Sequence, residues 1–410
     1  MQDKKNTIIM YSWSTIWSMK SKSGAPSFYK TINLYIEKGW DIYLILTDES
    51  NGAEEISEDC RIFTLKKWKT DKLISSRNSS KPFLLLKMIR YYLYAKKVTK
   101  SIMEKVDGNV LFYAYEVNGV SSAKWASKKY KKPLVTRFQG TVATYFKNNL
   151  ATKIKQHFRL KALKTEADLI IMTDDGTKGL ETLKKLGNPT KNIMFWRNGL
   201  DLLNCDYSIT EEAKRELRQS LGILDDECML LTVSRLQDWK RVDRAIDALA
   251  EITQISGKYK LVIAGDGPEK SKLEGMVDNY HLNDNVIFLN AVDHDKVYDY
   301  MSAADIFLSL YDMSNVGNPL LEAMTLGKCI VTLNVGDTDK LINNGQNGLL
   351  LDVEEIHEIP KILMDLFENP EKREMLECNA KEYAKANFYS WDERMEMEHE
   401  KVLEVLKGGF

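Results

Sequence analysis

Arg235 and Lys240 stand five positions apart in SRLQDWKRVDRAI, between an apolar strand and a helical run that begins near Val242. Two cations fixed in a loop ahead of a helix suit a diphosphate. Arg offers a planar fork of donors, Lys a compact point charge, and the first helical amides point outward. Alone, the pair is equally what a solvated loop carries. A second stretch, SNVGNPLLEAM, adds to it. Gly317 permits close approach to the backbone, Asn318 can cap the coming helix, and Pro319 suits its first turn. Glu322 lies one turn inside, where the helix dipole favours an acid, and can accept two hydrogen bonds from a ribose diol.

Two further loops sit at strand ends. VIAGDGPEKSKLE ends a strand in Gly265-Asp266-Gly267, a turn that often serves only to reverse the chain. The strand in DNVIFLNAV has its polar end at Asn290 and can offer backbone groups to a flat base.

These loops need a frame that gathers strand ends on one edge. Short apolar runs rich in β-branched residues alternate with helical segments of about 12–20 residues, which argues for parallel α/β architecture. Strands are expected at NTIIMYS, DIYLILT, RIFTL, NVLFYAY, PLVTRF, DLIIMT and NIMFW, then at CMLLTVSR, KYKLVIAGDG, NVIFLN, ADIFLSL, KCIVTL and GLLL. Two doubly wound domains fit, binding ligands at the carboxyl ends of their strands. The expected boundaries are 1–203 for the first domain, 204–386 for the second and 387–410 for a final helix. A bend near Phe388–Trp391 would return that helix to the first domain.

The chain has 410 residues, 44% hydrophobic and 29% charged, as in a globular protein of two or three domains. No run approaches the ~18 apolar residues that span a bilayer. The start, MQDKKNTIIMYSWS, passes into a strand-like run without a signal peptide's core, so a cytoplasmic location is expected. Five scattered cysteines form no CxxC pair, and the acidic pair in TDDG, residues 173–176, reads as a polar turn. No metal requirement is expected. The net charge of -1 conceals two opposed halves. Residues 1–200 hold 36 Lys and Arg against 18 Asp and Glu, and residues 201–410 hold 22 against 41. A basic first half suits an anionic lipid surface or a phosphorylated acceptor.

Arg235, Lys240 and the Gly317–Glu322 loop, in this order at successive strand ends, resemble the family 4 retaining glycosyltransferases of GT-B fold. The resemblance is most specific over 228–351, through VSRLQDWKRVDRAI, IAGDGP, YMSAADIFLSLYDMSNVGNPLLEAMTLGK and LINNGQNGLLLD. In the first half, Gly24 in SKSGAPSFYK occupies the family's glycine position, PLVTRFQGT looks like the loop facing the reacting sugar, and WRNGLDL like the segment that closes the first domain.

The resemblance implies two Rossmann-like domains facing each other across a cleft, and a sugar moved from a nucleotide donor. A UDP- or GDP-sugar is the expected donor. Arg235 and Lys240 would hold the diphosphate and stabilise charge on it as the glycosidic bond breaks. Backbone at Gly317, Asn318, Pro319 and Leu320 would approach sugar and phosphate, with Ser314, Asn315 and Val316 beside them. Glu322 would bind ribose from the cleft side, Asn290 would edge the base, and Gly24 would give access to the phosphate. Two positions depart from the family: Ser314 stands where a sugar-binding Glu is usual, with Asp312 a possible substitute, and Gln139 stands where a His is frequent.

The acceptor is expected on the basic first domain. KPFLLLKMIRYYLYAKKVTKSIMEK interleaves Lys87, Arg90, Lys96, Lys97 and Lys100 with leucines and tyrosines, which suits anionic headgroups and a lipid-linked glycan. A core helix with a basic solvent face reads the same way. The expectation is therefore a metal-independent hexosyltransferase acting on a lipid-linked surface-polysaccharide intermediate, peripheral on the inner face of the membrane and without a nucleic-acid partner. A soluble acceptor, a sugar-nucleotide epimerase and an inactive nucleotide-sugar-binding partner are the alternatives.

Overall fold

The computed structural model describes residues 5–13, 27–47, 60–65, 81–204 and 207–408. The chain forms two compact units. One comprises residues 1–174, 179–197 and 392–410, the other 175–178 and 198–391. The divisions fall at 197/198 and 391/392, a few residues from those expected, and the short 175–178 segment joins the second unit although it lies in the first half of the sequence.

The first unit is built on seven parallel strands: β1 (Thr7–Tyr11), β2 (Asp41–Thr47), β3 (Cys60–Leu65), β4 (Val110–Tyr115), β5 (Leu134–Phe138), β6 (Leu169–Thr173) and β7 (Ile193–Trp196), ordered 3-2-1-4-5-6-7. Every residue of β1 and β4 is buried, as expected of central strands with helices on both faces. The helix Val120–Tyr130 turns Val120, Ala123 and Ala126, three apart, inward. The final helix, Trp391–Leu406, belongs to this unit and is anchored by charge. Arg137 Nη1 of β5 lies 2.8 Å from Glu398 Oε2, both side chains fully buried, and the Tyr113 hydroxyl donates to the other carboxylate oxygen at 2.8 Å.

The second unit carries six parallel strands: β8 (Cys228–Val233), β9 (Tyr259–Ala264), β10 (Val286–Asn290), β11 (Ile306–Ser309), β12 (Cys329–Leu333) and β13 (Leu349–Leu351), ordered 10-9-8-11-12-13. The order reverses between β8 and β11. In open parallel sheets that switch point is where ligands bind, beyond the carboxyl ends of the strands. The helix Asn318–Thr325 follows β11 and buries Leu320, Leu321, Ala323 and Met324. Among the described residues no helix is long and apolar enough to cross a membrane.

Candidate functional site

The loop after β8 carries both expected cations. It leaves the strand at Ser234, turns through a short 3-10 helix at Asp238–Lys240 and enters the helix Asp243–Thr253. Its shape is set by the neighbouring Gly265–Gly267 turn. A Cβ on Gly265 would lie 1.8 Å from the Ser234 carbonyl oxygen, and one on Gly267 2.2 Å from that of Leu236. These glycines therefore serve backbone-on-backbone packing. Arg235 is exposed, and Lys240 is partly buried.

Lys240 is held by aromatic rings. Its Nζ lies 3.8 Å from the centroid of Tyr311 and 4.4 Å from that of Trp239. The Asp312 amide donates to the Trp239 carbonyl at 3.0 Å, joining this turn to the loop after β11. Burial pushes the Lys240 ammonium down to about 7. The Asp175 carboxylate resists that shift and the Arg235 charge adds to it.

The loop after β11 runs through the rest of the expected set. Asn315 is fully buried, its amide donating to the carbonyls of Tyr311 and Leu333 at 3.3 and 3.4 Å, and Val316 is buried in the core. Both therefore act on the loop's shape from within. Gly317 precedes the helix and caps it through backbone alone, with φ -91°. Here the expectation that Asn318 is the cap is corrected. Asn318 is already helical, and its side-chain oxygen accepts from Asn198 at 3.1 Å. Gly317 also differs from the glycines of the β9 turn. An added Cβ would meet nothing nearer than 3.6 Å, so the fold itself does not demand glycine there.

Glu322 is 2% exposed, one turn into the helix behind Pro319 and Leu320. Its Oε1 lies 2.9 Å from His294 Nε2, at the start of the helix Val297 belongs to, His294–Ala303. Burial works against charge on that imidazole, but the Glu322 carboxylate outweighs it and the His294 pKa is raised. Nothing in the spacing around His294, a lone histidine in NAVDHDKV, singles it out. Asn290, nearby in sequence at the end of β10, has φ +60°; its carbonyl accepts from Gly265 N at 2.8 Å and its side chain from Lys270.

Asp312 is not the substitute acid expected beside Ser314. It pairs with Arg244 at 2.6 Å and Arg241 at 3.4 Å, which fixes it to the helix after Lys240. The carboxylate at Ser314 is instead Asp175, whose Oδ2 accepts from the Ser314 hydroxyl at 3.1 Å. The turn expected at TDDG exists, with the Thr177 amide donating to Asp175 at 3.1 Å. It is seated firmly: a Cβ on Gly176 would stand 3.1 Å from Val316, and one on Gly336 would stand 2.0 Å from the Gly176 carbonyl oxygen.

In the first unit, Gln139 follows β5. Its amide donates to Glu116 Oε1 at 2.7 Å and its Oε1 accepts from Thr173 at 3.4 Å, while its buried Nε2 has no acceptor among the described residues. Gly24 lies outside the described residues. A cavity of about 740 Å³ sits at the amino ends of β11 and β12, bordered by Asp305 and Lys328, and thus away from the loops above. Its charges are largely satisfied internally, as in the 2.9 Å pair of Arg218 with Asp305. Among the described residues no three His, Cys, Asp or Glu stand close enough to hold a metal.

The profile described as "Glycosyl transferases group 1" matches residues 213–383, which include every second-unit loop just described except the 175–178 turn. An uncharacterized glycosyltransferase of Methanocaldococcus jannaschii is 27% identical over 300 residues, covering 72% of this chain and 73% of that protein. Alpha-monoglucosyldiacylglycerol synthase of Streptococcus pneumoniae is 23% identical over 333 residues, 80% of this chain and 72% of that one. The crystal structure of Anabaena HepE in complex with UDP and glucose superposes with a TM-score of 0.73 at 20% identity, over 97% of this chain and 99% of that one. The fold is GT-B, with two Rossmann-like domains. Residues 213–383 thus match the group 1 glycosyltransferase family, and the chain as a whole is similar to proteins named glycosyltransferases.

Proposed function

We propose that the chain is a family 4 retaining glycosyltransferase that moves a hexosyl group from a nucleotide sugar, UDP- or GDP-linked, to a lipid-linked surface-polysaccharide intermediate. Arg235 and Lys240 bind the diphosphate, and the amides of Gly317 and Asn318 face it, with the Pro319–Leu320 backbone beside them. Glu322 accepts from the ribose hydroxyls, with His294 fixing its orientation. As the glycosidic bond lengthens, the departing diphosphate oxygen gains charge that the two cations offset, and it takes the acceptor's proton on the face where the new bond forms. The protein supplies positioning and electrostatics, and the diphosphate charge is met by side chains without a metal.

One observation carries this reading: Lys240 is desolvated on Tyr311, in a turn hydrogen-bonded to the loop that leads into the helix at Gly317, a glycine the fold does not require. A partly buried, desolvated cation with a depressed pKa is costly until an anion arrives. The UDP and glucose bound to HepE, and the diacylglycerol in the name of the pneumococcal relative, support a nucleotide-sugar donor and a lipid acceptor respectively. We place the enzyme in the cytoplasm, peripheral on the membrane's inner face.

The test is a thermal-shift panel of UDP, GDP, ADP and dTDP with the native protein, Lys240→Ala and Glu322→Ala. Stabilisation by one nucleotide, lost in both variants, is the expected result. No response to any of the four overturns the reading. A radiolabelled donor then separates transfer from epimerisation, which needs no acceptor.

A further inference from the structure

A groove of about 530 Å³ opens on the first unit, among the helices Lys81–Met103, Val120–Tyr130 and His157–Leu163. It begins at the carboxyl ends of two adjacent strands, with Trp13 just past β1 and Val117 and Asn118 just past β4. Strand order reverses around β1, so the groove occupies this sheet's own switch point. Ile89, Trp125 and Phe158 add to its apolar walls. The Trp13 indole N–H is buried there without an acceptor among the described residues.

Two sets of exposed apolar residues stand on the elements around the groove, the first with the spacing of one helix face and the second spread over two successive short helices. Leu85, Ile89 and Leu93 form one, and Leu93 is 58% exposed. Leu150, Ile154 and Phe158 form the other, with Leu150 at 73% and Ile154 at 68%. Aliphatic side chains exposed in sets rather than singly mark a surface that another apolar phase covers. The lysines say which phase. Lys124, Lys128 and Lys161 line the groove, Lys87 lies 5.4 Å from the Trp13 ring centroid, and Lys96 lies 4.8 Å from that of Trp125. Cations and indoles around an apolar slot match the boundary between anionic headgroups and acyl chains.

We propose that this groove seats the hydrocarbon chain of an anionic lipid, with the lipid phosphate among Lys124, Lys128 and Lys161. The exposed sets enter the outer part of the bilayer beside it. The inference rests on the lipid-acceptor part of the proposed function and gives that acceptor a location on the chain.

The experiment uses the full chain with vesicles of phosphatidylcholine alone or with added phosphatidylglycerol bearing brominated acyl chains. The protein should sediment with the anionic vesicles and not with the neutral ones. Bromine should quench a share of the tryptophan emission that vanishes in Trp13→Phe combined with Trp125→Phe. Ile89→Asp, and Lys124→Glu with Lys128→Glu, should each weaken binding about tenfold or more. Ile255→Asp, a 70% exposed aliphatic of the second unit, should change nothing. Unaltered melting temperatures and nucleotide responses in the variants exclude misfolding. Absence of vesicle binding overturns the proposal, and so does binding that ignores Ile89→Asp and escapes bromine quenching, which is surface charge alone. If lipid binding fails while a nucleotide still stabilises the protein, the groove proposal falls and the donor site stands; the reverse outcome removes the transferase reading and leaves the groove.

Discussion

The Ser314 hydroxyl donates to the Asp175 carboxylate at 3.1 Å, joining two residues 139 positions apart in the sequence. Ser314 follows Tyr311, the ring beneath Lys240, by three residues, and Asp175 opposes the loss of the Lys240 proton. Asp175 is thus a carboxylate that favours the charged form of this lysine. Asp175→Asn should lower the pH at which Lys240 deprotonates and so weaken nucleoside-diphosphate binding more at pH 8 than at pH 6, about three- to tenfold more on general grounds. Calorimetric titration at both values decides it. Equal losses would assign Asp175 to direct ligand contact.

Lys240 makes a second, opposite prediction for stability. Its pKa of about 7 in the fold lies below the ~10.4 of an unfolded lysine. Between those values the unfolded chain binds more protons, so the lysine's cost is present in full below pH 7 and is relieved as pH rises. Lys240→Met should therefore raise the melting temperature of the nucleotide-free protein at pH 6 by about 2–4 °C, with the gap narrowing by pH 9. The same variant should no longer be stabilised by the nucleotide. Gain without ligand and loss with it is the signature of a binding cation.

How much of this was legible follows from what is local. Every one of the thirteen expected strand segments contains a strand, because a buried parallel strand is an unbroken apolar run. Arg235, Lys240, Gly317 and Glu322 were visible as short-range patterns of charge, glycine and helix start. Asp175 and His294 were not. Each belongs to the site only through contacts with distant residues, and a TDDG turn or a lone histidine carries no spacing that announces them. Asp312 failed as the expected acid for the same reason, since Arg241 and Arg244 claim it through the fold.

Glu322 and His294 define a third measurement. His294 has a raised pKa, so the stability it gains from Glu322 is fully present below about pH 6.5 and fades as pH rises through the higher folded value. Glu322→Gln should flatten that fall in a melting curve taken from pH 5.5 to 8.5. It should also weaken binding of the stabilising nucleoside diphosphate by about tenfold, the loss of a charged hydrogen bond, and leave inorganic pyrophosphate binding unchanged. Equal loss for pyrophosphate would mean that Glu322 acts on the phosphate site and not on ribose.

The last prediction concerns the helix that closes the first unit. Glu398 is fully buried among Arg137, Arg394 and the Tyr113 hydroxyl, and Arg394 Nε also donates to the Arg197 carbonyl at 3.2 Å. Removing the only carboxylate among those contacts leaves two buried guanidinium groups uncompensated. Glu398→Ala should therefore cost about 3–5 kcal/mol, enough to unfold the first unit early in a calorimetric scan. The apolar replacement Arg137→Met with Glu398→Leu should recover part of that loss, because it removes one of the two buried guanidinium groups and leaves Arg394 with the Arg197 carbonyl alone among those contacts. The donor-nucleotide response belongs to other residues and should survive in the double variant. If Glu398→Ala melts like the native protein, the buried cluster does not hold the final helix in place.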